Sequence, residues 1–125
     1  MVHNEQKTVL VVDDSAMIRR IVIEVVEQAG CRAIEAADGY EALAAVEAAT
    51  PDLLILDLIM PGMSGLATLE QLRAQPKGAA VPVLMLTVED SDEVVQQAMA
   101  HDVSGYLTKP IDLDELRGAI RAHVD

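Results

Sequence analysis

Five polar side chains stand where short apolar runs of the sequence end, and they supply three carboxylates, one hydroxyl and one ammonium group. They are Asp13 and Asp14 after residues 9–12, Asp57 after 53–56, Thr87 after 83–86, and Lys109 just past 103–107. Short runs rich in Val, Ile and Leu are typical of buried parallel strands, and the carboxyl ends of such strands form the ligand crevice of an open α/β sheet. We therefore expect the five side chains to converge on one small site.

These five groups together suit metal-dependent phosphoryl chemistry. Three carboxylates without a cation repel one another, which predicts a bound metal, and magnesium takes oxygen ligands from carboxylates and phosphates. A carboxylate can also act as a nucleophile and form an aspartyl phosphate. If Asp57 is that nucleophile, Lys109 would pair with the transferred group and Thr87 would hydrogen-bond it. One acid at a strand end is commonly a helix cap, but five polar residues at four strand ends favour a site.

The apolar runs alternate with segments of helical periodicity, five of each. Strands are predicted at 9–12, 32–36, 53–56, 82–87 and 103–107. Helices are predicted at 17–29, from 38 to a stop at 50–51, at 64–75, at 91–101 and from 112 onward. The caps expected for three of them are Asp38, Ser91 and Asp112.

This alternation predicts parallel strands joined by right-handed crossovers. The fold class is α/β, a flavodoxin-like (βα)5 three-layer sandwich with a central five-stranded parallel sheet. We expect the strand order 2-1-3-4-5, one of the common orders of doubly wound sheets. It brings the ends of strands 1, 3, 4 and 5 together and leaves the weak second strand at an edge. Residues 1–125 are expected to form one domain.

Composition narrows the possible partners and compartment. The net charge of -12 argues against unaided binding of nucleic acid and favours basic partners. A single cysteine, Cys31, excludes an internal disulfide and fits a reducing compartment. No apolar stretch has the length of a membrane span, and the first eight residues contain no apolar signal segment. We therefore expect a cytoplasmic protein that does not bind membranes.

The short motifs around these residues resemble those of a known protein family. Asp57 opens the segment Asp-Leu-Ile-Met-Pro-Gly-Met-Ser-Gly, Lys109 precedes Pro110, and Tyr106 lies three residues before the lysine. With the acidic pair Asp13-Asp14 and with Thr87, this set resembles a response-regulator receiver domain over essentially all 125 residues. The segment from Asp13 through Val22 is further similar to the chemotaxis branch of that family.

That resemblance implies a role for each residue of the site. Asp57 would accept a phosphoryl group from the phosphohistidine of a sensor histidine kinase, with Lys109 and Thr87 assisting. One Mg²⁺ ion would be held by Asp14, Asp57 and the backbone carbonyl of Ile59. Asp13 would act on the metal mainly through water and charge.

The resemblance also implies a switch and an output. Phosphorylation would draw Thr87 toward the phosphoryl group and let Tyr106 turn inward, which changes the face made by helix 4, strand 5 and helix 5. That face would control a protein partner, with the flagellar motor switch as the leading expectation and a phosphatase as a further partner. The receiver would be a monomer when unphosphorylated, and its only reactions would be its own phosphorylation and dephosphorylation. A phosphorelay intermediate is the alternative.

Ile59 and Val88 depart from common family patterns, and Glu89 lies two residues after Thr87. Ile59 is apolar, so its side chain cannot orient an attacking water. Val88 is larger than the residue often found after the switch hydroxyl and would crowd the approach to Asp57. Glu89 would pair with Lys109 in the resting state or contact a phosphatase. We expect all three to tune phosphorylation rates.

Other protein classes fit less well. A phosphatase of the haloacid-dehalogenase kind would need a second Asp where this chain has Ile59. A flavodoxin-like electron carrier would need a Ser/Thr/Gly-rich phosphate loop after the first strand and aromatic residues to flank the flavin. A purely structural pseudo-receiver would have lost part of the site. No linker or helix-turn-helix pattern follows the last helix, so we expect a stand-alone receiver without an effector domain.

Overall fold

Five parallel strands form one sheet in the order β2-β1-β3-β4-β5, as predicted. A computed structural model of the chain describes residues 6–124. Within them, the strands are β1 (Thr8–Val12), β2 (Arg32–Ala36), β3 (Leu53–Leu56), β4 (Val83–Thr87) and β5 (Gly105–Thr108). β1 pairs with both β2 and β3, β4 pairs with both β3 and β5, and every pairing is parallel. The C-terminal ends of β1 and β3 therefore lie side by side.

Each strand is followed by a helix whose first turn is capped by a side chain. The helices within the described residues are α1 (Ala16–Gln28), α2 (Gly39–Ala48), α3 (Gly65–Ala74), α4 (Asp92–Met99) and α5 (Leu113–Val124). The side chains that accept hydrogen bonds from first-turn N–H groups are Ser15, Asp38, Ser64, Ser91 and Asp112. None of the five helices described is long and apolar enough to cross a membrane.

The alternating side chains of the strands fill two cores, one on each face of the sheet. In β3, Leu54 and Leu56 join the core beneath α2, α3 and α4. The intervening residues Leu53 and Ile55 join the core beneath α1 and α5. This division makes the predicted three-layer sandwich, because the period of a strand is two residues.

Two predicted boundaries near the end of the sheet are wrong. β5 begins at Gly105 rather than Val103, and α4 ends at Met99 rather than near residue 101. Between them Asp102 has a φ of 60°, a left-handed conformation that turns the chain. Val103 is buried although it precedes the strand. β5 also runs one residue further than predicted, to Thr108, so that Lys109 directly follows its last residue.

Candidate functional site

Asp13 and Asp57 lie close together because they follow the two paired central strands. Val12 is in register with Leu56, and the Asp57 N–H donates to the Val12 carbonyl at 3.1 Å. One side-chain oxygen each from Asp13, Asp14 and Asp57 lies within 4.8 Å of the other two. Asp13 and Asp57 are only 3% and 5% exposed, whereas Asp14 is exposed. The structure thus brings the three acids together, as predicted.

Lys109 supplies the positive charge at this acidic group. Its Nζ donates to Asp13 Oδ2 at 2.7 Å and to Asp57 Oδ2 at 3.1 Å, and its side chain is 14% exposed. The lysine follows β5, and its backbone N–H donates to the Thr87 carbonyl at 2.9 Å. The peptide bond from Lys109 to Pro110 is cis. Two buried carboxylates therefore share one ammonium group.

Burial and the neighbouring charges shift the pKa values of Asp13 and Lys109. Burial raises the pKa of Asp13, and the hydrogen bond from Lys109 offsets only part of that effect. Burial would lower the pKa of Lys109, but its hydrogen bonds to Asp13 and Asp57 and the charges of both acids together outweigh burial, and the pKa is raised. The lysine is therefore a cation throughout the neutral pH range.

The chain folds closely around Asp57. The Ile59 N–H donates to Asp57 Oδ1 at 3.0 Å, so each oxygen of this carboxylate accepts one hydrogen bond from the protein. Gly65 begins α3, and its N–H donates to the Leu58 carbonyl at 2.9 Å. A Cβ at position 65 would lie 2.3 Å from the Asp57 carbonyl oxygen and 2.4 Å from Leu58 Cα. The last glycine of the sequence motif is thus required by a close approach of two backbones.

The donor set of the site fits a magnesium ion. Carboxylate oxygens are the hard ligands that Mg²⁺ prefers, and this ion usually keeps several waters. Asp14 is exposed, so the side of the group on which it lies is open to solvent. Asp13, Asp14 and Asp57 are within reach of a common ion, and the backbone of Ile59 folds beside Asp57.

Glu89 links the two residues predicted to form the switch. Thr87 is fully buried at the end of β4, and its hydroxyl accepts a 3.4 Å hydrogen bond from the Glu89 N–H. The Tyr106 hydroxyl donates to the Glu89 carbonyl. The Tyr106 ring is partly buried against the core beneath α2, α3 and α4. Burial raises the pKa of Tyr106, and Glu89 and Asp90 raise it further.

The three residues predicted to tune the phosphorylation rate differ in their surroundings. The predicted pairing of Glu89 with Lys109 is wrong: the ion pairs of Lys109 within residues 6–124 are with Asp13 and Asp57. The Glu89 carboxylate instead accepts a local hydrogen bond from the Ser91 N–H at 3.1 Å. Ile59 and Val88 are 51% and 59% exposed, so their apolar side chains face solvent.

Sequence reasoning missed Arg19. Its Nη1 donates to the Asp13 carbonyl at 2.7 Å, and its Nε donates to Glu35 Oε1 at 2.8 Å. A basic residue one turn into the helix after an acidic pair was visible in the sequence. Arg19 and Arg20 are adjacent, however, and the sequence does not show which of them faces the end of β1.

Comparison with known proteins decides the family. The family model "Response regulator receiver domain" matches residues 9–121. The chain belongs to this family. It is 36% identical over 118 residues to the protein PilG of Pseudomonas aeruginosa, spanning 93% of this chain and 86% of PilG. It is also similar to the chemotaxis protein CheY4 of Vibrio cholerae, with a TM-score of 0.89, 37% identity and coverage of 95% and 99% of the two chains.

Two further comparisons bear on the receiver. Several transcriptional regulators are 33–36% identical to it, but the receiver spans only 47–51% of their lengths. The receiver domain of a sensor histidine kinase from Pseudomonas aeruginosa has the same fold, with a TM-score of 0.86, 23% identity and coverage of 96% and 98%. That structure contains a magnesium ion coordinated in its active-site cleft.

Proposed function

We propose that this receiver accepts a phosphoryl group on Asp57 from the phosphohistidine of a sensor histidine kinase, in a magnesium-dependent reaction. The observation that carries the proposal is the pairing of Lys109 with Asp13 and Asp57 inside a group of three carboxylates. An oxygen of the Asp57 carboxylate attacks phosphorus, the bond from phosphorus to the imidazole nitrogen breaks, and the imidazole leaves.

Each residue of the site has a separate role in this transfer. Asp14, Asp57 and the Ile59 carbonyl would hold the metal, which would supply positive charge to the phosphoryl oxygens. Asp13 acts through water and through its hydrogen bond to Lys109. The Lys109 ammonium exchanges its contact with Asp57 for one with the phosphoryl group, and the Thr87 hydroxyl donates a hydrogen bond to it. The receiver catalyses only its own phosphorylation and dephosphorylation.

The output of the reaction is a change in the face made by α4, β5 and α5. A move of Thr87 toward the phosphoryl group alters its hydrogen bond with Glu89, whose carbonyl also holds Tyr106. Two sites coupled through one peptide segment form a switch that a local charge can bias. The similarity to a chemotaxis protein supports a partner in motility control, such as a flagellar motor switch. We expect a cytoplasmic protein that is monomeric before phosphorylation.

Transfer from a phosphorylated histidine kinase tests this proposal. Wild-type receiver should become labelled in Mg²⁺ and remain unlabelled in a chelator, and Asp57→Asn should remain unlabelled in both. Asp114→Asn removes the same charge from an exposed residue of α5 and should be labelled as the wild type is. Equal labelling of Asp57→Asn and Asp114→Asn would sink the assignment. A pull-down with beryllofluoride-treated and untreated receiver then identifies the partner.

A further inference from the structure

We propose that Arg19 is a positioning residue for the magnesium site, and that it acts by holding the peptide group between Asp13 and Asp14. The inference rests on the proposed function, because it takes these carboxylates as the metal site. It concerns a residue that contributes no ligand atom and lies on α1 rather than at a strand end.

The guanidinium group of Arg19 joins three elements at the mouth of the site. It reaches from α1 to the Asp13 carbonyl after β1, at 2.7 Å, and to the Glu35 carboxylate in β2, at 2.8 Å. The Arg19 side chain is only 15% exposed, whereas Glu35 is 55% exposed. A guanidinium is planar and its donors are fixed relative to one another, so the contact with Glu35 also fixes the donor that faces Asp13.

The Asp13 carbonyl determines where the next carboxylate lies. It belongs to the planar peptide that leads into Asp14, and holding its oxygen fixes the rotation of that plane. The Asp13 N–H donates to the Ala36 carbonyl at 3.3 Å, so the residue is held on both sides of its Cα. Asp14 is exposed, and packing does little to direct its side chain. Its direction therefore depends on the peptide that Arg19 holds.

If only the charge of Arg19 mattered, its loss would change the binding of Mg²⁺ in the opposite direction. A positive group near three carboxylates opposes the approach of a second cation. If Arg19 acted only through charge, neutralising it would tighten the binding of Mg²⁺. If it acts by positioning, neutralising it weakens the binding, as the loss of residues that support metal ligands commonly does.

Calorimetric titration of Mg²⁺ into the receiver separates these effects. We expect Arg19→Gln to raise the dissociation constant roughly tenfold. Arg19→Lys keeps the charge but lacks the planar pair of donors, and it should also weaken binding. Arg20→Gln is the matched control: it removes the same charge from an exposed neighbour and should leave the affinity unchanged or slightly tighter.

Urea unfolding without Mg²⁺ shows whether a variant has merely lost stability. A destabilised Arg19→Gln protein whose magnesium affinity equals that of the wild type would overturn the inference. Tighter binding by Arg19→Gln would overturn it as well, since that is the result of charge alone. If Arg19→Gln does not fold, the Mg²⁺ affinity of Arg19→Lys is the test. Weaker binding than the wild type supports the positioning role, and equal or tighter binding refutes it. A wild type that binds no Mg²⁺ would instead refute the proposed metal site itself.

Discussion

At the scale of single residues, the charge balance of the site depends on Lys109. Its ammonium group lies between two carboxylates that are almost fully buried. Removing one partner of a buried ion pair leaves charge without compensation, which costs about 3 kcal/mol. We therefore expect Lys109→Met to lower the free energy of unfolding by about that amount, measured in urea at pH 7 without Mg²⁺.

Lys77→Met provides the control for this loss. Lys77 Nζ donates to the Glu47 carbonyl at 2.8 Å and lies 3.8 Å from the Glu47 carboxylate, and both side chains are more than half exposed. Exposed pairs contribute at most about 1 kcal/mol, so this variant should remain close to the wild type. Mg²⁺ should also restore part of the stability of Lys109→Met, because it provides a cation for the same carboxylates. Equal losses in the two variants would contradict the buried pairing.

Tyr106 can be observed directly because the chain contains only two tyrosines and no tryptophan. Its pKa is raised by burial and by the nearby carboxylates of Glu89 and Asp90. In a Tyr40→Phe variant, the phenolate absorbance reports Tyr106 alone, and we expect its midpoint above the ordinary tyrosine value of about 10.

The sign of the linked stability follows from the same shift. A raised pKa in the folded state means that the Tyr106 contribution is fully present below about pH 10 and is lost as the pH rises through the folded value. Urea unfolding between pH 9 and pH 11 should show this loss in Tyr40→Phe. A midpoint at or below the ordinary value would contradict the placement of Tyr106.

Val88 is expected to slow the approach of a phosphodonor to Asp57. Its branched side chain follows the buried Thr87 and faces solvent. If this side chain narrows the path to Asp57, Val88→Ala is phosphorylated faster by acetyl phosphate, and Val95→Ala in α4 reacts at the wild-type rate. Unchanged or slower labelling of Val88→Ala would count against crowding.

The residues of the site differ in how well the sequence could place them. Asp13, Asp57 and Lys109 were predictable, because the backbone topology alone brings their strand ends together. Glu89 was not, because its carboxylate could reach either a distant ammonium group or the nearby Ser91 N–H, and only the folded loop selects the latter. Choices between rotamers of a long side chain do not follow from the order of the strands.

At the scale of elements, hydrophobic periodicity predicted the five strands but not every strand end, and their order was expected only because it is a common one for such sheets. Val103 is as apolar as a strand residue and is buried, yet the chain around it is a turn. The hydrogen bond from the Ser104 N–H to the Val83 carbonyl holds this turn against β4 before β5 begins. Apolar character indicates burial, and burial occurs in turns as well as in strands.

The start of α3 lies against the backbone that carries Asp57, and it tolerates no side chain at Gly65. A methyl group there would overlap the backbone of Asp57 and Leu58, which cannot yield as a flexible side chain can. We expect Gly65→Ala to destabilise the receiver by about 1–3 kcal/mol in urea unfolding. It should also slow labelling of Asp57, because relief of the overlap displaces the backbone of this proposed phosphoacceptor.

Gly118→Ala is the matched control for this element. Gly118 lies within α5, and a Cβ there would meet nothing within 4 Å. Alanine is favoured over glycine in an exposed helix by about 0.5–1 kcal/mol, so this variant should be more stable than the wild type and label normally. A stable, normally labelled Gly65→Ala would contradict the close approach seen in the structure.

At the scale of the whole molecule, added cations can stabilise the fold in two ways. They can screen the overall negative charge, or a divalent ion can bind at the three carboxylates. The net charge of -12 opposes compaction, and any salt screens that repulsion. The group of Asp13, Asp14 and Asp57 adds a local repulsion that screening relieves only in part, because two of these acids are buried. A divalent ion bound at the site should therefore stabilise the fold beyond the general effect of ionic strength.

Thermal unfolding in MgCl₂ and in NaCl of matched ionic strength measures that difference. A ligand that binds only the folded state at 100 times its dissociation constant stabilises it by about 2.7 kcal/mol, which raises the Tm of a domain of this size by roughly 10 °C. We expect this extra rise in the wild type and in Asp114→Asn, and its loss in Asp57→Asn, which removes one of the proposed ligands. NaCl should raise the Tm of all three by similar amounts. If MgCl₂ and NaCl act alike on the wild type, the three carboxylates are not a magnesium site.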